Sequence, residues 1–139
     1  MTRTPPSGRT AAIATPPRQL RQFLALDAVV TGGNGLGYVF LAEPLESLLG
    51  VSGDLLHPVG AFLVVYGTAV AGVAGRANVS RAATRAIIVA NGLWAAGSLL
   101  ALTLGALSPT LVGGLWIAVQ AVVVGGFAAA QNWALRRLR

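Results

Sequence analysis

This chain has no cysteine, no lysine and very little charge of any kind. Without cysteine, disulfides, thiol nucleophiles and thiolate-bound metals are all excluded. The lone histidine, His57, cannot build a closed protein zinc site without a second His or Cys. Charged residues make up 10% of the 139 positions, whereas a soluble domain carries about 25%. Serine, histidine and acid form no set that points to nucleophilic catalysis, and paired carboxylates occur only as Glu43 and Glu46 in a short polar segment. No catalytic residue, metal or cofactor is therefore expected, and the chain does not read as an enzyme.

What is present is apolar. Hydrophobic residues reach 55% and mean hydropathy is +0.71, arranged in runs close to the roughly 20 residues that cross a 30 Å hydrocarbon core. The pattern predicts an all-α fold, a four-helix transmembrane bundle in one domain, with spans at about 23–42, 58–74, 86–104 and 111–135. Residues 1–20, with two Pro-Pro pairs and three arginines, read as a disordered cytoplasmic tail, which leaves 21–139 as the transmembrane domain. Residues 43–57 read as a connection carrying a short amphipathic helix at Leu45, Leu48 and Leu49. Pro58 is expected in the first turn of the second span, and Gly75 to Arg85 as a loop on the solvent side.

All ten basic residues are arginines, and the net charge is +6. Arg3, Arg9, Arg18 and Arg21 precede the first span, Arg76, Arg81 and Arg85 lie between the second and third, and Arg136, Arg137 and Arg139 follow the fourth. All fall on one side of the expected membrane, with Glu43, Glu46 and Asp54 on the other. The positive-inside rule then places both termini in the cytoplasm of a multi-pass cell-membrane protein. Arginines at span ends suit the lipid bilayer and its anionic headgroups. They do not form the folded basic face that nucleic acid requires.

Membrane helices associate through small residues and interhelical hydrogen bonds. Candidate packing positions are Gly33 and Gly37 in the first span, Gly67 and Ala71 in the second, Gly97 in the third and Gly125 in the fourth. Asn-Gly-Leu recurs at 34–36 and 91–93, consistent with two parallel helical-hairpin repeats.

The richest stretch is the first span. At about 100° per residue, Asp27, Thr31, Asn34 and Tyr38 fall within an arc of about 60° and form one polar stripe. Asn91 and Ser98 share a face in the third span, and Gln120 joins from the fourth, with Gly113 and Gln131 on its side of the helix. Asn34, Asn91 and Gln120 are expected to satisfy one another inside the bundle. Asp27, the one acid within a span, is expected about 6 Å past the cytoplasmic edge at 1.5 Å per residue. At that depth it pairs with Arg85, locking the first and third spans, or handles a proton or cation.

With LDAVVTGGNGLGY opening the first span, NGLW in the third and WIAVQAVVVGGFAAAQ in the fourth, residues 20–139 resemble small four-span integral membrane proteins of actinobacteria. The resemblance implies architecture and transfers no active site. In size, span count and an acid in the first span the chain is also similar to small multidrug-resistance transporters, whose acid lies deeper in the span than Asp27; that similarity implies architecture alone. Two functions stay open. The first is a structural or accessory component of a membrane assembly, in contact with a membrane-protein partner. The second is a small, dimeric proton- or cation-coupled transporter built on the polar stripe.

Overall fold

A computed structural model describes residues 15–138, with side-chain surroundings from Arg18 onward. The expected disorder of residues 1–14 lies outside the described residues, as do Arg3, Arg9 and Arg139. The described chain forms five helices: α1 (Thr15–Phe40), α2 (Ala42–Leu49), α3 (Gly53–Ala74), α4 (Arg81–Thr103) and α5 (Leu111–Arg136). Four of them, taken as Arg18–Phe40, Gly53–Ala74, Arg81–Thr103 and Leu111–Arg136, are long and apolar enough to cross a membrane. The fold is an all-α bundle, and by that measure the chain is a multi-pass membrane protein.

Three helix starts lie earlier than the apolar runs suggest, each for a local reason. α1 is already helical at Thr15, because Pro16 and Pro17 occupy a first turn where a missing N–H costs nothing; Leu20, predicted to be in the tail, is fully buried. α3 begins at Gly53 rather than Pro58: the Ser52 hydroxyl accepts from the Asp54 amide at 3.2 Å and Glu46 Oε2 accepts from the Gly53 amide at 2.9 Å. Pro58 therefore sits inside the helix, and His57, in the same turn, holds its Nδ1 2.9 Å from the Gly53 carbonyl. α4 begins at Arg81 rather than Ala86, capped by the Ser80 hydroxyl on the Ala83 amide at 3.2 Å, so Arg81 and Arg85 belong to a helix, not a loop. An N-cap of this kind contributes about 1 kcal/mol.

The arginine-rich end gathers the start of α1, the α3–α4 connection and the end of α5. Arg21 donates to the carbonyls of Arg76 at 2.8 Å and Ala77 at 3.1 Å, and Arg81 to that of Leu138 at 3.1 Å. Arg137 lies 4.1 Å over the Trp133 ring. At the opposite end the short helix α2 is tied to the α4–α5 turn. The Thr110 amide donates to the Leu49 carbonyl at 3.0 Å and the Thr110 hydroxyl to that of Leu48 at 2.7 Å.

The spans form two hairpins. α1 lies along α3, α4 along α5, and the hairpins join where α1 meets α5. In cross-section the order is α3, α1, α5, α4, and the two end helices, α3 and α4, touch only sparingly. The α1/α3 seam is a backbone contact. A Cβ on Gly35 would stand 2.7 Å from the Gly60 carbonyl oxygen, one on Gly60 2.8 Å from that of Gly35, and one on Gly67 2.8 Å from the Gly32 amide nitrogen.

The expected packing glycines are thus partly corrected. Gly67 is a seam residue and a Cβ on Gly125 would stand 3.7 Å from the Ala95 methyl, but a Cβ on Gly33, Gly37 or Gly97 would meet nothing within 4 Å. Ala71 is exposed. The stripe that closes the seam on α1 is Gly32 and Gly35, rotated away from Gly33 and Gly37, because the polar face of α1 turns toward α4 and α5. Gly113 is a further close contact, its Cβ position filled by the Leu49 carbonyl.

Candidate functional site

Each spanning helix sends one polar side chain, and α1 two, into a single buried cluster. Asp27 on α1 is fully buried. Thr31, one turn on, donates its hydroxyl proton to Oδ1 at 3.0 Å. Asn91 of α4 donates Nδ2–H to Oδ2 at 2.6 Å, and Gln131 of α5 donates Nε2–H to the same oxygen at 2.7 Å. Tyr66 of α3 completes the set: its hydroxyl donates to Asn91 Oδ1 at 3.0 Å, with the Ile87 carbonyl 3.3 Å away. Among the described residues no buried side-chain nitrogen or oxygen lacks a partner.

Three donors converge on one acid, which suits a carboxylate, an acceptor with no proton of its own to offer. All three are neutral. Hydrogen bonds to a charged acceptor are stronger than neutral ones, and in a membrane each interhelical bond contributes about 0.6 kcal/mol on average and up to ~1.7 kcal/mol. Above the cluster toward the arginine-rich end lies an apolar plug of Leu20, Leu24, Val70, Ala74, Ile87, Ala134 and Leu135. It separates the acid from the arginines.

Of the residues expected at the site, Asp27, Thr31 and Asn91 come together. The Asp27–Arg85 pair is not among the contacts. Arg85 is exposed, and it stands six positions, about 9 Å along the helix axis, nearer the end of α4 than Asn91, the residue that does meet Asp27. Along α1, Asp27 lies nine residues, about 14 Å, from Arg18.

Asn34 and Gln120 do not satisfy Asn91, whose amide is taken by Asp27, Gln131 and Tyr66. They are half-buried and line a cavity of about 370 Å³ between α3 and α4, together with Thr31, Tyr66, Asn91, Phe62 and Trp94. Ser98 lines a second cavity of about 290 Å³ on the far side of Trp94. Tyr38 stands apart from the cluster, buried, accepting the Trp116 Nε1–H at 2.7 Å.

Two members of the cluster were not among the expected site residues. Gln131 follows Gln120 by eleven positions, three helical turns, so the shared face was visible, but a polar residue near Trp133 and the terminal arginines reads as interfacial. Tyr66 is off the small-residue face of its span, and nothing in the sequence says which helix its hydroxyl meets.

No protein-family model, curated protein or solved structure matches this chain. The chemistry of the site rests on its own residues.

Proposed function

We propose that this protein is a small proton-linked carrier of the cell membrane, using the Asp27 cluster as its coupling element and the α3/α4 cavity as its binding site. One observation carries the reading: Thr31, Tyr66 and Asn91 belong both to the hydrogen-bonded cluster around Asp27 and to the wall of the cavity. A carboxylate accepts all three of its hydrogen bonds. A protonated Asp27 brings a donor into a ring of donors, so hydrogen bonds around it have to reverse or break, and two of its three partners, Thr31 on α1 and Asn91 on α4, are cavity walls. A ligand and a proton then bias the same set of contacts, which is what linkage between two sites requires. The orientation belongs to the same proposal, with the arginine-rich end and both termini on the cytoplasmic side. So does a second copy of the chain, for which the open face of α1 at Gly33 and Gly37 leaves room.

The test is proton flux in liposomes holding the purified protein under an imposed pH gradient, followed with an entrapped pH dye. Wild-type protein is expected to dissipate the gradient faster than empty liposomes, and Asp27→Asn to lose that increment. Equal flux in both proteins overturns the reading.

The reading as a structural or accessory component draws on a different observation, the complete burial of Asp27, which makes the cluster a clamp on four helices. It expects no flux from either protein and a loss of thermal stability on removing the acid.

A further inference from the structure

Both hydroxyls that reach the cavity have already given their proton elsewhere. Thr31 Oγ1 donates to Asp27 Oδ1 at 3.0 Å, and Tyr66 Oη donates toward Asn91 Oδ1 at 3.0 Å and the Ile87 carbonyl at 3.3 Å. A hydroxyl has one proton and two lone pairs, so each oxygen offers the cavity acceptor capacity and no donor. The polarity is set from behind, because Thr31 donates to Asp27 and Tyr66 donates to Asn91, which in turn donates to Asp27.

The aromatic wall adds to the same sign. Phe62 stacks on Tyr66 with centroids 5.9 Å apart, and across the cleft on Trp94 with centroids 6.1 Å apart and planes within 18°. The face of an aromatic ring is its negative side and attracts cations. Asp27 contributes a carboxylate whose hydrogen-bond partners are all neutral, and an uncompensated charge in hydrocarbon is costly. Phe62 is 54% exposed, so the cleft opens sideways between α3 and α4.

From this arrangement we propose that the α3/α4 cleft binds a protonated amine carrying an apolar body. The ammonium N–H groups donate to the Thr31 and Tyr66 oxygens, and Asn34 and Gln120 turn their amide oxygens toward it. The apolar body lies against Phe62 and Trp94. The ligand supplies the positive charge that the partners of Asp27 lack, and its N–H groups donate to the Thr31 and Tyr66 oxygens, whose own protons are already committed. The proposal names the ligand class for the carrier reading above and rests on that reading for the site.

Binding is measured on the full-length protein in detergent, by tryptophan fluorescence and by the shift in melting temperature, with three probes of one shape. These are phenethylammonium, its neutral isostere phenethyl alcohol, and trimethyl(phenethyl)ammonium, which keeps the charge but has no N–H. Phenethylammonium is expected to saturate and to raise the melting temperature. The alcohol should bind about tenfold more weakly or less, the size of one charge-assisted hydrogen bond, and the quaternary ion should fall between them. Phe62→Leu, at the exposed mouth, leaves the fold intact and weakens the amine severalfold; Tyr66→Phe removes one acceptor and narrows the gap between amine and quaternary ion. Equal binding of amine and alcohol overturns the proposal, as does amine binding that neither substitution changes. The two readings fail separately. Saturable, amine-selective binding without proton flux sinks the carrier and keeps the site, whereas flux through a protein that does not prefer the amine keeps the carrier and sinks the ligand class.

Discussion

The α1/α3 seam and the α3/α4 cleft are built from helices of similar length and hydropathy, yet one is closed to backbone contact and the other stands open. At the seam, Gly35 meets Gly60 and Gly32 meets Gly67. At the cleft, Phe62 faces Trp94 and the two rings hold the helices apart. Apolarity decides neither, because lipid tails solvate leucine as well as another helix does. Contact follows side-chain size. Where both surfaces are glycine, the peptide planes approach and exclude lipid; where both are aromatic, a lateral opening remains, and the polar residues that reach it find a cavity.

The comparison breaks most sharply at Gly35. Its Cβ position already lies 2.7 Å from the Gly60 carbonyl oxygen and the Val64 amide nitrogen, so Gly35→Leu has to push two backbones apart. The expected loss is about 3 kcal/mol, the upper part of the overpacking range, read as melting temperature in detergent. No loss would mean that the seam is not a contact in the membrane.

Next in size is the acid that joins the two hairpins. Asp27→Leu leaves Thr31, Asn91 and Gln131 without their acceptor, at about 1–3 kcal/mol for a buried polar group left unpaired. Asp27→Asn is milder, under about 1 kcal/mol, since a flipped amide still presents one oxygen to Asn91 and Gln131. Combining Asp27→Asn with Arg85→Gln should be additive within about 0.5 kcal/mol, as for residues that share no partner. A larger coupling would restore the ion pair expected from the sequence.

Smaller again is Tyr38→Phe, which removes the acceptor of the Trp116 Nε1–H and costs about 0.6 kcal/mol, the average for an interhelical bond in a membrane. Its readout is the emission maximum of Trp116 in a variant with the other two tryptophans replaced. The smallest effect is at the open face: Gly33→Ala, with nothing within 4 Å, should stay within about 0.5 kcal/mol. A large loss there, in a protein that behaves as a dimer, would place the second copy on that face.

Helical periodicity made Asp27, Thr31 and Asn91 legible as inward-facing, because a polar residue in an apolar span has few other places to go. Their grouping was not legible. Asp27 and Gln131 are separated by more than a hundred positions, and periodicity along one helix carries no information on its rotation against another. The glycine motifs misled for the same reason: Gly33-xxx-Gly37 has the spacing of a contact, yet the rotation of α1 put Gly32 and Gly35 there instead.

The sequence by itself determined the all-α class, the four apolar segments and the gathering of arginines at one end, since these follow from local composition and from the cost of taking charge and unpaired backbone into hydrocarbon. The earlier starts of α1, α3 and α4 were written in it too, in Pro16 and Pro17, Ser52 and Ser80, although the apolar runs drew the eye past them. Only the tertiary structure decided that Asp27 meets amides rather than an arginine, that Tyr66 belongs with it, and that α3 and α4 stand apart. Those outcomes depend on how four helices rotate against one another, and that rotation is set by many weak contacts acting together, none of which any one segment contains.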